Sequence, residues 1–150
     1  MKITIPIIPK GQRRARHGVV NGFSRTYKDP RQAQEEEALM ALLSKYQPTH
    51  PMQGPLLLGV RAYVPIPVSK PKAWKAAALA GAIRPVTKPD MDNLLKHVKD
   101  CLTMLRFWGD DCQVVEYLPR TGKWYSGQPR WEIEIVEYRQ RQALGDSHAK

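Results

Sequence analysis

The sequence predicts one domain that mixes strands and helices. Three observations carry that reading. At 150 residues the chain has the length of one ordinary domain, enough to bury about 68–70% of its unfolded surface. Apolar or β-branched runs of strand length stand at 2–9, 56–66, 112–119 and 130–138. Helical periodicity or an alanine-rich stretch occupies 30–46, 72–80 and 90–106.

Residues 2–9 alternate and end at Pro9, so they read as a first strand. Residues 10–31 read as a loop, with glycines at 11, 18 and 22. They also hold the densest charge in the chain. Lys10, Arg13, Arg14, Arg16, Arg25, Lys28 and Arg31 face one acid, Asp29. An arm or hairpin lying along phosphates would carry such charge, and so would a solvated loop. From Pro30 the pattern turns helical, with Pro30 suited to the first turn and Asp29 to the N-cap. Ala38, Leu39, Leu42 and Leu43 give that helix an apolar face, and Glu35 to Glu37 sit toward its N-terminal half, as the helix dipole favours.

Residues 48–55 form a proline-containing loop before the apolar strand at 56–66. Pro65, Pro67 and Pro71 then mark a second loop. Beyond it, Lys70, Lys72 and Lys75 surround Trp74. A basic track beside an aromatic platform suits single-stranded or distorted DNA; a linker whose tryptophan joins the core would look the same. After the helix at 90–106, the strands at 112–119 and 130–138 flank Gly122, Ser126, Gly127 and Pro129. That composition predicts an antiparallel hairpin with a long loop. Residues 139–150 are polar and patternless, so the domain is expected over 1–138 with a flexible tail after it.

Composition narrows the partners. There are 24 Lys and Arg against 14 Asp and Glu, a net charge of +10, and polyanionic DNA rewards such cations through counterion release. No apolar run reaches the 18 residues of a membrane span, and the proline-broken N-terminus is unlike a signal peptide. Two cysteines, Cys101 and Cys112, make no disulfide framework and point to a reducing cytoplasm. The histidines at 17, 50, 97 and 148 have no zinc spacing with them.

Against this basic background the acids around one helix stand out. Lys88-Pro-Asp-Met-Asp-Asn-Leu-Leu-Lys96 opens the helix, and Gly109-Asp110-Asp111 follows its end. Met91, Leu94, Leu95, Val98, Cys101, Leu102 and Leu105 fall within one arc of about 120°. Asp92, Asn93, Lys96, Lys99, Asp100 and Thr103 take the opposite arc, with Asp92, Lys96 and Asp100 at successive turns. Hydrolysing a phosphodiester calls for an activated water and neutralised charge, and Mg²⁺ held by a few carboxylates meets both needs. Asp90 and Asp92 are two such ligands, Asp110 or Asp111 the nearest third. Each residue also has a structural use: Asp90 as an N-cap, Asp92 as a charge suited to the dipole, Gly109-Asp110-Asp111 as a turn. Trp108 beside that pair would pack or touch DNA.

With Phe107-Trp-Gly-Asp-Asp-Cys-Gln-Val-Val115 added, the stretch from 88 to 117 resembles the signature of the RusA family of Holliday-junction resolvases. Met91 stands where the family usually has Leu or Ile, and the basic arm departs further from it. The resemblance implies a dimeric α+β fold built on a mixed sheet and dependence on Mg²⁺, with Mn²⁺ as a substitute. It also implies paired nicks across a four-way DNA junction in recombination and repair, in a bacterial cytoplasm or a phage setting. Asp90, Asp92 and Asp111 take the family's catalytic, metal-holding carboxylate positions, and Lys96 its essential lysine. The candidate DNA contacts are Arg13, Arg14, Arg16, Lys70, Lys72, Lys75 and Lys88. Two other functions fit the same residues: a metal nuclease preferring other branched DNA, and a non-catalytic basic nucleic-acid-binding module.

Overall fold

The computed structural model describes residues 1–11, 16–20, 22–27 and 30–139. Its elements run β1 (Lys2–Ile5), β2 (Arg16–Val20), β3 (Phe23–Tyr27), α1 (Pro30–Leu43), β4 (Leu56–Pro65), α2 (Lys72–Leu79), α3 (Met91–Met104), β5 (Val114–Tyr117), β6 (Gly122–Ser126) and β7 (Arg130–Glu137). A short 3-10 turn, Ser44–Tyr46, extends α1, and another, Asp111–Gln113, precedes β5. The architecture is α+β with a mixed sheet. β4 pairs antiparallel with β7, which pairs antiparallel with β1. On its other side β4 pairs parallel with β5 and then with β6.

Alternation decides which face of the sheet is covered. Ile3 and Ile5 of β1, Leu58, Val60 and Ala62 of β4, and Trp131, Ile133 and Ile135 of β7 are all buried. Register aligns them in rows, Ile3 with Ile133 and Val60, Ile5 with Trp131 and Ala62, so every second side chain of three strands meets on one side. Leu39 and Leu43 of α1 and Leu94, Val98, Cys101 and Leu102 of α3 join the same cluster. On the other face, residues such as Arg61, Glu132 and Arg130 remain half-exposed, and Glu132 lies 3.4 Å from the Arg61 and 3.5 Å from the Arg130 guanidinium.

Three elements differ from their sequence readings. β1 stops at Ile5 rather than at 9 because Pro6 has no N–H for the ladder; the Ile7 amide turns back to the Ile5 carbonyl. The basic stretch at 10–31 is not all loop: β2 and β3 form an antiparallel hairpin with Val20 opposite Phe23. The hairpin expected between 112 and 138 is absent. Instead, β5 and β6 take turns along one edge of β4, Leu56 beside Val114 and Arg61 beside Gly122. Between them Leu118 N donates to Leu58 O, and Thr121 Oγ1 receives Val60 N, so the interruption stays stitched to β4. Asp29, expected to cap α1, lies outside the described residues, as does the tail from 140 onward.

Leu58 lies at the middle of this packing and is fully buried. Truncating it (Leu58→Ala) is expected to cost about 2–5 kcal/mol, whereas Val68→Ala, at a position 91% exposed, should stay within about 0.5 kcal/mol. Urea denaturation checks both, the midpoint falling for the first with its slope unchanged.

Candidate active site

α3 is held by its apolar stripe, and its start is set by the loop before it. Asp90 has extended backbone, φ −77° and ψ 162°, and its Oδ1 accepts the Asn93 amide at 3.0 Å. Asp90 is therefore the N-cap that the sequence suggested, which leaves its second carboxylate oxygen available. Asp92 and Lys96 follow on the exposed side of the helix, one turn apart. Among the described residues neither has a hydrogen bond or ion pair. The loop itself is pinned from the sheet: Lys123 Nζ on β6 donates to Thr87 O at 2.7 Å and to Pro89 O at 3.0 Å. The Lys88–Pro89 bond is cis.

Cations gather at this end of α3. Gly11 fits so closely that an added Cβ would stand 3.0 Å from the Cβ atoms of Asn93 and Pro89. Gly11 therefore lies directly against the start of α3. Lys10, at its base, pairs with Glu35 of α1 at 3.0 Å. A cleft of about 310 Å³ lies alongside, lined by Lys10, Lys88, Lys123, Tyr125 and a series of prolines. Lys88, exposed, faces it two residues before Asp90. Trp74 of α2 meets Tyr125 of the cleft edge to face with centroids 5.4 Å apart, and Lys70 Nζ, from the turn before α2, lies 5.0 Å from the Trp74 ring; Lys72 and Lys75 lie on α2 itself, outside the cleft lining. Trp74 is half-buried against Tyr125 at the sheet edge and lies outside the core cluster. Arg13 and Arg14 lie outside the described residues, and of Arg16 only the backbone, in β2, is described.

Asp111 is elsewhere. Gln113, two residues on, donates through Nε2 to Met52 O and Gly54 O, both at 3.0 Å, and Val114 pairs with Leu56. That is the N-terminal end of β4, whereas Lys123, which pins the Asp90 loop, pairs with Ala62 toward the other end. α3 separates the two ends; its 14 residues span about 21 Å. Asp90 and Asp92 share the first turn of α3, and Asp111 lies beyond its other end. Among the described residues no three His, Cys, Asp or Glu side chains are grouped to hold a metal ion.

The acidic pair splits in role. Asp110 caps the 3-10 turn, its Oδ1 accepting Cys112 N at 3.0 Å while Gln113 Oε1 accepts Asp110 N at 3.1 Å. That amide of Cys112 is the main reason the Asp110 carboxyl sits below the usual carboxylate range, and the same carboxylate pushes the Cys112 thiol up. Asp111 is exposed with no such duty. Trp108 packs: it is fully buried, and its indole N–H donates to Thr103 Oγ1 at 2.7 Å. Lys123 and Gln113, the two side chains that fix the loops bearing Asp90 and Asp111, were not singled out from sequence. Lys123 carries no local signal, because its partner Pro89 is 34 residues away; Gln113 does carry one, the Asp-x-x-Gln spacing of a capping box, although its bonds to Met52 and Gly54 are long-range.

Two relatives and one family model extend this picture. A Bacillus subtilis (strain 168) protein, "Uncharacterized protein YqaN", is 38% identical over 140 residues, covering 91% of this chain and 96% of that one. "Crossover junction endodeoxyribonuclease rusA" of Lactococcus phage r1t is 41% identical over 51 residues, 34% of this chain and 37% of the phage protein. No helix among the described residues is long and apolar enough to cross a membrane. The model of the family described as endodeoxyribonuclease RusA matches residues 5–136, from the end of β1 almost to the end of β7, and the chain belongs to that family.

Proposed function

We propose that this protein is a structure-specific endodeoxyribonuclease that resolves four-way DNA junctions by paired, metal-dependent nicks, in recombination and repair. The observation that carries the reading is the pair of exposed carboxylates, Asp90 and Asp92, at the start of α3, beside the cleft lined by Lys10, Lys88 and Lys123. Family membership and the name of the phage relative support the substrate.

The donor set suits a hard cation. Carboxylate oxygens are the ligands Mg²⁺ prefers, and Mn²⁺ accepts them too. Asp90, Asp92 and Asp111 are the residues that would hold the ion. When bound, it supplies an activated water and neutralises the scissile phosphate. Lys96, a turn beyond Asp92, orients the phosphate and offsets the charge that builds on its oxygens. Water adds across the P–O3′ bond and leaves a 5′-phosphate and a 3′-hydroxyl.

The position of Asp111 gives the dimer a chemical purpose. A helix N-terminus carries partial positive charge that opposes a cation, so two carboxylates there hold Mg²⁺ weakly and gain from a third. We infer that Asp111 reaches the pair from a second copy. A twofold dimer offers two such composite sites, one for each strand to be cut.

Labelled four-way junction and linear duplex, incubated with Mg²⁺, Mn²⁺ or EDTA, test the activity. Wild type should nick the junction in pairs and only with metal. Asp92→Asn should abolish cutting while leaving binding intact, and Lys96→Ala should slow it by about 10²–10³-fold. Cutting of flaps or forks in preference to junctions would move the substrate to other branched DNA. Binding without cutting under any metal would leave a non-catalytic module.

Mixing two inactive variants tests the shared site. Asp92→Asn and Asp111→Asn are each inactive alone. If carboxylates are shared between copies, a mixed dimer holds one intact site, and nicking returns to about a quarter of wild type. A site built within one chain would give no recovery.

A further inference from the structure

Two arginines outside the carboxylate site share one tryptophan. The Arg84 guanidinium carbon stands 3.3 Å from the Trp124 ring centroid, and that of Arg120 stands 4.9 Å from the same ring. Both are fixed by backbone contacts: Arg84 Nε donates to Lys123 O at 2.7 Å, and Trp124 Nε1 donates to Arg120 O at 3.1 Å. Gly122 makes room for the arrangement, since a Cβ there would stand 2.7 Å from an Arg84 terminal nitrogen. Arg120 has φ 68°, a left-handed conformation that favours glycine.

Holding two guanidiniums on one ring costs like-charge repulsion, which is set against their contacts with Trp124. Both guanidiniums are exposed, and among the described residues neither pairs with a carboxylate. The Arg84 pKa is lowered by partial burial and then by the charge of Arg120. Like charges held together without a counter-ion make a receptor for an anion, and a planar fork matches phosphate oxygens. The place is significant as well. Lys123, between Gly122 and Trp124, pins the Thr87 and Pro89 carbonyls beside Asp90, and Arg84 lies on the loop that leads there.

We propose that Arg84 and Arg120, held on Trp124, form a phosphodiester-binding site that grips the DNA backbone beside the cutting site. The proposal rests on the nuclease reading and names a contact for its substrate.

The test is the salt dependence of four-way-junction binding in EDTA, where no cutting occurs. Each phosphate neutralised contributes about −0.9 to the slope of log K against log salt. The double variant Arg84→Gln/Arg120→Gly should shallow the slope by about 1 or more. Gly122→Ala, which changes no charge but displaces the Arg84 fork, should weaken binding at low salt. Arg120→Gly alone should weaken binding while its melting temperature holds or rises, because glycine is at ease at that φ. Lys45→Gln removes a charge from an exposed lysine of the turn after α1 and should leave the slope alone. A double variant with the wild-type slope, or a Lys45 variant with the same loss, overturns the site. These outcomes are separate from the nuclease reading, which falls if Asp92→Asn cuts as wild type does. A wild-type protein that binds no DNA overturns both.

Discussion

The docking of α3 on the sheet decides where the chemistry stands. Leu94, Val98, Cys101 and Leu102 are fully buried among Leu58, Val60 and the β7 side chains. A helix is stiff, so once that stripe is fixed the opposite residues have no freedom left. Asp92 and Lys96 are turned to solvent by the same packing that buries their neighbours. Arg106 ends the helix in a left-handed conformation, φ 60°, and sends Phe107 and Trp108 back into the core. The acidic turn at 110–111 is therefore aimed by hydrophobic burial rather than by its own charge. The apolar core does the work of positioning that long polar side chains could not do alone.

The elements that sequence revealed are those whose signals are local. α3 is amphipathic at helical period throughout, and its observed span differs from its expected one by a residue or two. β4 is an almost unbroken apolar run because it is central, paired on both sides. The missed strands are the ones that lack those features. β6 is an edge strand of five residues whose flanking Gly122, Ser126 and Gly127 read as turn. The β2–β3 hairpin was hidden by its charge, although Asn21-Gly22 between Val20 and Phe23 is a strong two-residue hairpin signal.

The site was legible to the same degree. The cap at Asp90 and the exposure of Asp92 and Lys96 follow from position in a helix, which sequence spacing encodes. Which end of that helix Asp111 occupies is a matter of chain path, and eleven residues of spacing after Asp100 say nothing of it. His97 is a related case. It lies at the margin of the apolar stripe, and its burial comes from long-range neighbours such as Trp131, whose ring centroid is 6.4 Å away, and the α1 residues that line the same pocket. Arg84, Arg120 and Trp124 meet through the wrapping of the loop before α3 around the sheet edge, a relation that no motif records.

The place of β7 in the sheet has a consequence for how the molecule is made. It is the last strand among the described residues, yet it lies between β1 and β4 and pairs with both. The Met1 ammonium itself donates to Ile135 O, across 134 residues of sequence. A chain without residues 130–137 has an open edge on β4, an unpaired β1 and only part of the apolar surface that α3 packs on. Such contacts close the longest loops a chain of this size can form, and so form late. The sheet and the helix that carries Asp92 and Lys96 are therefore completed together, only when residues 130–137 pair with both of their neighbours.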